Sequence, residues 1–141
     1  MKKLLFFMLI AIFTINMQAQ NYDSYQLIDS DTLTNADTII GTYPLVISQD
    51  YYYSVQVVCD SLTGNPNGTA YLQQSNDDGS TPEKWTNVSG KTLTLNGTGT
   101  YSTIWEGGTT PFLGVKLRVY ILGAGTATVD CNAWLVIKRK H

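Results

Sequence analysis

Catalysis by side chains needs groups that can be held against one another, and this chain offers few. Its one histidine is the last residue, His141. A Ser-His-Asp or Cys-His arrangement requires an imidazole fixed by its neighbours, and a chain end is a poor place to fix one. Two cysteines, Cys59 and Cys131, with one terminal histidine do not complete a four-ligand zinc site. Glu83, Glu106 and the aspartates could supply a carboxylate pair of the glycoside-hydrolase kind, but no spacing singles out two of them. The inventory predicts a protein without enzymatic activity, cofactor or structural metal.

The run Asn76-Asp77-Asp78-Gly79-Ser80 invites a calcium reading. Aligning Gly79 with the fixed glycine of an EF-hand places Gln74 at the first ligand position and Trp85 at the twelfth, where both should be acidic. The run therefore reads first as an Asx-type turn between strands, with a looser calcium site on Asp77, Asp78 and a carbonyl as the second reading. The aromatic residues are the better candidates for contact. Trp85 and Trp105 lie in or near loops, and Tyr51-Tyr52-Tyr53 opens a strand, so one of the three faces opposite to its neighbours. Exposed Trp and Tyr stack on sugar rings or anchor protein partners. Trp85, Trp105, Tyr51, Tyr53, Asn76, Asp77 and Asp78 are the candidate binding residues, with Trp134 expected to cover the core.

The chain of 141 residues opens with Met1-Lys2-Lys3, an apolar run over 4–15, and Asn16-Met17-Gln18-Ala19-Gln20. A basic start, an apolar core too short to span a bilayer and a polar end with a small residue describe a secretory signal peptide. It is expected over 1–19, engaging the membrane only transiently, with cleavage after Ala19 and an extracellular, cell-surface or virion location. Residues 20–37 form a polar arm or edge strand, and 38–141 a single β-sandwich domain with a short basic tail. Without Lys2 and Lys3, seven basic residues face eleven acidic ones, for a mature net charge of about −4. An acidic domain repels phosphate backbones, which excludes nucleic acid as the expected partner. Export and an even cysteine count predict a Cys59–Cys131 disulfide.

The mature chain is rich in Thr, Gly, Asn, Ser and Tyr, so strand and turn formers dominate. Val115, Leu117, Val119 and Ile121 alternate with Lys116, Arg118 and Tyr120. After Gly123-Ala124-Gly125 the pattern resumes through Ala127, Val129, Cys131, Ala133, Leu135 and Ile137. This predicts a hairpin that sets Cys131 opposite Leu117 and Val129 opposite Val119. A second hairpin is expected from 52–62 and 69–75 around Thr63-Gly64-Asn65-Pro66-Asn67-Gly68. Val55, Val57 and Cys59 share a face, so both cysteines point to the apolar side. Further strands are expected at 25–28, 38–42, 85–88, 91–95, 101–105 and from 112 onward. About eight strands at this spacing make an all-β, two-sheet antiparallel sandwich of jelly-roll or immunoglobulin-like type. A Thr-rich edge strand could pair between subunits, giving a homo-oligomer.

Three triplets, Asp31-Thr32-Leu33, Asp37-Thr38-Ile39 and Asp60-Ser61-Leu62, look like Asp-Ser/Thr-aliphatic sites at which some Gram-negative bacteria O-glycosylate exported proteins. Asn67, Asn87 and Asn96 occur in Asn-X-Ser/Thr sequons but read as turn residues behind a bacterial leader. Gly68-Thr69-Ala70-Tyr71-Leu72-Gln73-Gln74-Ser75-Asn76-Asp77-Asp78-Gly79, then Trp85-Thr86-Asn87-Val88 and a Thr-rich strand, resembles small β-sandwich modules of tailed-phage virion proteins. The likeness covers about 50–137 and includes the Leu117-Arg118-Val119 strand. It implies a non-enzymatic decoration, fibre or tail accessory that meets a protein partner in a virion. The second reading is a secreted bacterial carbohydrate-binding or adhesion module that meets a cell-surface glycan.

Overall fold

The computed structural model describes residues 22–34, 37–44, 51–76, 84–107, 116–124 and 126–139. Eight strands occupy them: β1 (Tyr22–Thr34), β2 (Thr38–Pro44), β3 (Tyr51–Thr63), β4 (Asn67–Ser75), β5 (Thr86–Asn96), β6 (Thr100–Glu106), β7 (Lys116–Ala124) and β8 (Thr128–Arg139). They form two antiparallel sheets, in the orders β1-β8-β3-β6 and β2-β7-β4-β5. Two four-stranded sheets wound in this order make a jelly roll, which decides between the two sandwich types expected from the sequence.

The alternation that marks each strand also builds the core. Val55, Val57 and Cys59 of β3 and Cys131, Ala133 and Leu135 of β8 are fully buried and face Ala70, Leu72, Leu117, Val119 and Ile121 from the other sheet. Each buried aliphatic side chain of this size contributes roughly 1.5–3 kcal/mol. β1 joins through Ile28 and Leu33, and its partner along the roll, β2, through Ile39. Where β1 and β2 meet, Gly41 is buried, and a Cβ there would lie 2.5 Å from the Leu27 carbonyl oxygen. Only a residue without a side chain permits that approach.

Both expected hairpins are corrected. β7 pairs with β2 and β4, whereas β8 pairs with β1 and β3, so Cys131 lies opposite Cys59 and Val129 opposite Ser61. β3 and β4 likewise belong to different sheets. A chain that crosses the sandwich after each strand presents the same inward alternation as a chain that turns back beside itself. The apolar pattern therefore cannot tell the two apart. The two short strands expected at 85–88 and 91–95 are one strand, β5. It bulges where its partner on β4 steps from Tyr71 to Gln73 while its own pairing residue moves from Thr92 to Asn87. Gly90 sits in that bulge at φ 71°.

Candidate functional site

The outer face of the β2-β7-β4-β5 sheet gathers aromatic and amide side chains in two adjacent rows. Ladder register sets Ile40, Tyr120, Tyr71 and Thr92 side by side across the four strands, and Thr42, Arg118, Gln73 and Asn87 in the row beside them. Trp85, immediately before β5, places its ring centroid 4.1 Å from the Arg118 guanidinium carbon; Tyr120 lies 5.2 Å from it on the same strand. Arg118 Nε donates to Gln73 Oε1 at 2.7 Å, and Gln73 Nε2 donates to Asn87 Oδ1 at 2.7 Å. The Tyr71 and Tyr120 rings lie 6.5 Å apart.

Each link in this chain fixes the next. The cation–π contact orients the guanidinium. Its Nε sets which end of the Gln73 amide faces Arg118, and the other end then orients Asn87. The result is a half-buried aromatic and amide surface held in one arrangement before any partner arrives, which lowers the cost of ordering on binding.

Charge separates this face from the other. The strands β2, β4, β5 and β7 carry Lys91, Lys116 and Arg118 and no carboxylate. The strands of the other sheet carry six carboxylates (Asp23, Asp29, Asp31, Asp60, Glu106 and Asp130) against Lys138 and Arg139, a formal −4. Among the strands, the carboxylates are concentrated on the β1-β8-β3-β6 layer.

The sequence-predicted residues are dispersed. Trp85 belongs to the aromatic face. Trp105 is corrected: it is 3% exposed and packs in the core, so no partner reaches its ring. Tyr53 is corrected for the same reason at 8% exposed; burial pushes its phenol above the ordinary value. Tyr51 pairs with Arg139 at the start of β3. Asn76 is exposed directly after β4, while Asp77 and Asp78 lie outside the described residues. Trp134 is half-buried on the outer face of the acidic sheet, opposite Gln56 and Gln26. Among the described residues no group of three or more His, Cys, Asp or Glu is arranged to hold a metal ion. Asn87, read as a turn residue, is instead a strand residue of the site. Arg118, Gln73, Tyr71 and Tyr120 were not singled out as binding residues, although the alternation of Arg118 and Tyr120 against Leu117 and Val119 already placed those two on one outward face.

Cys59 and Cys131 are register partners within the β3–β8 ladder, with sulfurs 3.1 Å apart and both thiols free. Hydrogen bonds at the ends of the β3–β6 ladder, Ser61 N–H to Gly99 O at 3.0 Å and Gly107 N–H to Tyr53 O at 2.9 Å, show that odd-numbered residues of β3 turn their backbone groups toward β6. Cys59 and Cys131 therefore face each other as a non-hydrogen-bonded pair, the closer of the two cross-strand spacings at about 4.5 Å between Cα atoms, inside the range a disulfide spans. The hydrogen bond with Cys59, then burial, pushes the Cys131 thiol far above the ordinary range.

Fold and surface together define a class: a jelly-roll β-sandwich with a preorganised aromatic and amide face. No family model matches the chain, and no curated protein matches it. Among solved structures, the chain is similar to the PBSX exported protein XepA (TM-score 0.55, 9% identity, 84% of this chain and 38% of that one). It is also similar to a protein of infectious bursal disease virus, Gx strain (TM-score 0.52, 10% identity, 83% of this chain and 32% of that one). A third, a Bacillus endospore appendage pilus protein, matches with TM-score 0.48 and 21% identity over 85% of this chain and 88% of that one. The chain spans about a third of the length of the first two. At these identities the shared property is the fold alone, a β-sandwich.

Proposed function

We propose that this chain is an exported, non-enzymatic structural and interaction module of the virion-accessory kind, and that it meets its partner through the outer face of the β2-β7-β4-β5 sheet. The carrying observation is the linked set Trp85–Arg118–Gln73–Asn87 with Tyr71 and Tyr120 beside it. Rigid strands fix these groups, and Trp, Tyr and Arg are the residues that most often anchor interfaces. The fold shared with the PBSX exported protein and the viral protein supports a particle-associated role.

A secreted carbohydrate-binding or adhesion module is the second reading. Its support is that the same face combines aromatic rings with amides and threonine hydroxyls and carries no carboxylate on its strands. Rings of this kind stack on sugars while amides and hydroxyls fix orientation.

Separation of culture material on a density gradient, with the chain located by mass spectrometry, tests the proposal. Co-migration with particles that is lost in Trp85→Ala/Tyr120→Ala supports the virion reading. Recovery in medium or outer-membrane fractions, with glycan retention lost in the same variant, supports the second. Full retention of every partner by that variant contradicts both.

A further inference from the structure

An open sheet has two edges, and each edge carries backbone groups with no ladder partner. Three of the four edges here are blunted. β1 is broken by register shifts between Gln26 and Ile28 and between Ile28 and Asp31, and carries three aspartates. Its left-handed Ser30, at φ 44°, is held against β8 by Asn132 and Asp130. β2 has the backbone of β1 packed against Gly41 and ends in Pro44. β5 is interrupted by its bulge, Gly90 and Lys91. β6 has one carboxylate, Glu106 at its last position, and none of the other devices. It pairs with β3 from Ser54↔Glu106 to Asp60↔Thr100 without a shift, contains no Pro or Lys, and no described residue pairs with its other edge.

The ladder also states which groups face outward. Odd-numbered residues of β6 bond β3, since Gly99 and Gly107 at either end do so. The N–H and C=O groups of Thr100, Ser102, Ile104 and Glu106 therefore point away from the sheet. The side chains of these four residues are exposed, and Ile104 is 60% exposed.

We propose that the β6 edge is a self-association surface, on which a second copy of this chain adds its own β6 antiparallel to the first. The edge is complementary to itself. A two-fold axis at Thr103 sets Ser102 opposite Ile104 of the second copy and Thr100 opposite its Glu106. Each outward-facing residue then exchanges backbone hydrogen bonds with another outward-facing residue. The two Glu106 carboxylates stay about 20 Å apart by strand rise, beyond the screening length at physiological salt. Contacts of this isologous kind close into a dimer. The sheet would run β1-β8-β3-β6 directly into its symmetry copy, leaving both aromatic faces uncovered.

Two variants separate this surface from the fold. Ser102→Pro removes an outward N–H and no bond of the β3–β6 ladder; Ile104→Lys puts a charge on the edge and alters no backbone group. The leader-free chain, residues 20–141, is examined by analytical ultracentrifugation and by hydrogen exchange of backbone amides. A dimer is expected, weakened at least about tenfold in both variants, by a lost hydrogen bond per copy in Ser102→Pro and by the charge on the edge in Ile104→Lys. In the native protein the amides of Ser102 and Ile104 are expected to exchange slowly, like those of Tyr101 and Thr103. In the variants the amide of residue 104 is expected to exchange rapidly while those of 101 and 103 stay protected. A monomer at all concentrations, fast exchange at Ser102 and Ile104 in the native protein, or a dimer that Ile104→Lys leaves intact overturns the proposal. The exchange pattern of the native protein decides the matter even if Ser102→Pro fails to fold.

Discussion

Oxidation of the free Cys59 and Cys131 thiols to a disulfide is expected to raise stability by an amount the topology sets. A bridge between these residues closes a loop of about 73 residues, for which chain entropy predicts roughly 4 kcal/mol. A domain of about 120 residues has an unfolding entropy near 0.25 kcal/mol/K, so the melting temperature should rise by roughly 15 °C on oxidation. The non-hydrogen-bonded position keeps native strain small, so most of that effect should appear. The timing of oxidation is also predicted. Burial and the neighbouring thiol keep Cys131 protonated in the folded state, and the thiolate is the reactive form. Oxidation should therefore be rapid while the chain is unfolded and slow after folding. The assay compares scanning calorimetry of protein refolded under oxidant with protein refolded under reductant, each checked by intact mass for the loss of two hydrogens. A melting difference below about 3 °C, or no mass loss after oxidative refolding, would refute the reasoning.

Gly41→Ala should destabilise the domain by about 1–3 kcal/mol, because the new methyl meets the Leu27 carbonyl and the Ile28 side chain; urea unfolding measures it, and a change below about 0.5 kcal/mol would contradict the tight β1–β2 approach. Raising the pH should weaken the fold through Tyr53. Its phenol is raised from 10.0 by burial, so the stability of burying the neutral form is fully present below pH 10 and is lost as pH rises through the higher folded value. Urea midpoints of the oxidised protein at pH 9 and pH 11 should therefore differ less in Tyr53→Phe than in the native chain, and equal differences would remove Tyr53 from the account.

Much of the fold was legible because burial in a two-layer sandwich has a period of two. The inward set Val55, Val57, Cys59 and the outward set Lys116, Arg118, Tyr120 could be read residue by residue. Strand pairing could not. In a jelly roll, successive strands mostly face each other across the core, so Leu117 and Cys131 share the apolar interior without sharing a ladder. Trp105 was misread because a tryptophan between Ile104 and Glu106 has one apolar and one charged neighbour, and local pattern does not choose which side is inside. The site was half legible: Trp85 stood out, but Arg118 and Gln73 come from two other places in the chain and meet Trp85 and its near neighbour Asn87 only through the registers of β7, β4 and β5.

The central claim is that recognition takes place on the β2-β7-β4-β5 face. Amide and side-chain NMR shifts of the labelled protein, followed as purified particles or isolated surface polysaccharide are added, test it most directly. The account predicts perturbations clustered at Gln73, Asn87, Arg118 and Tyr120 and at the Trp85 indole, all abolished in Trp85→Ala/Tyr120→Ala. Perturbations confined to the acidic face around Gln56, Asn132 and Trp134, or binding that the double variant leaves unchanged, would contradict it.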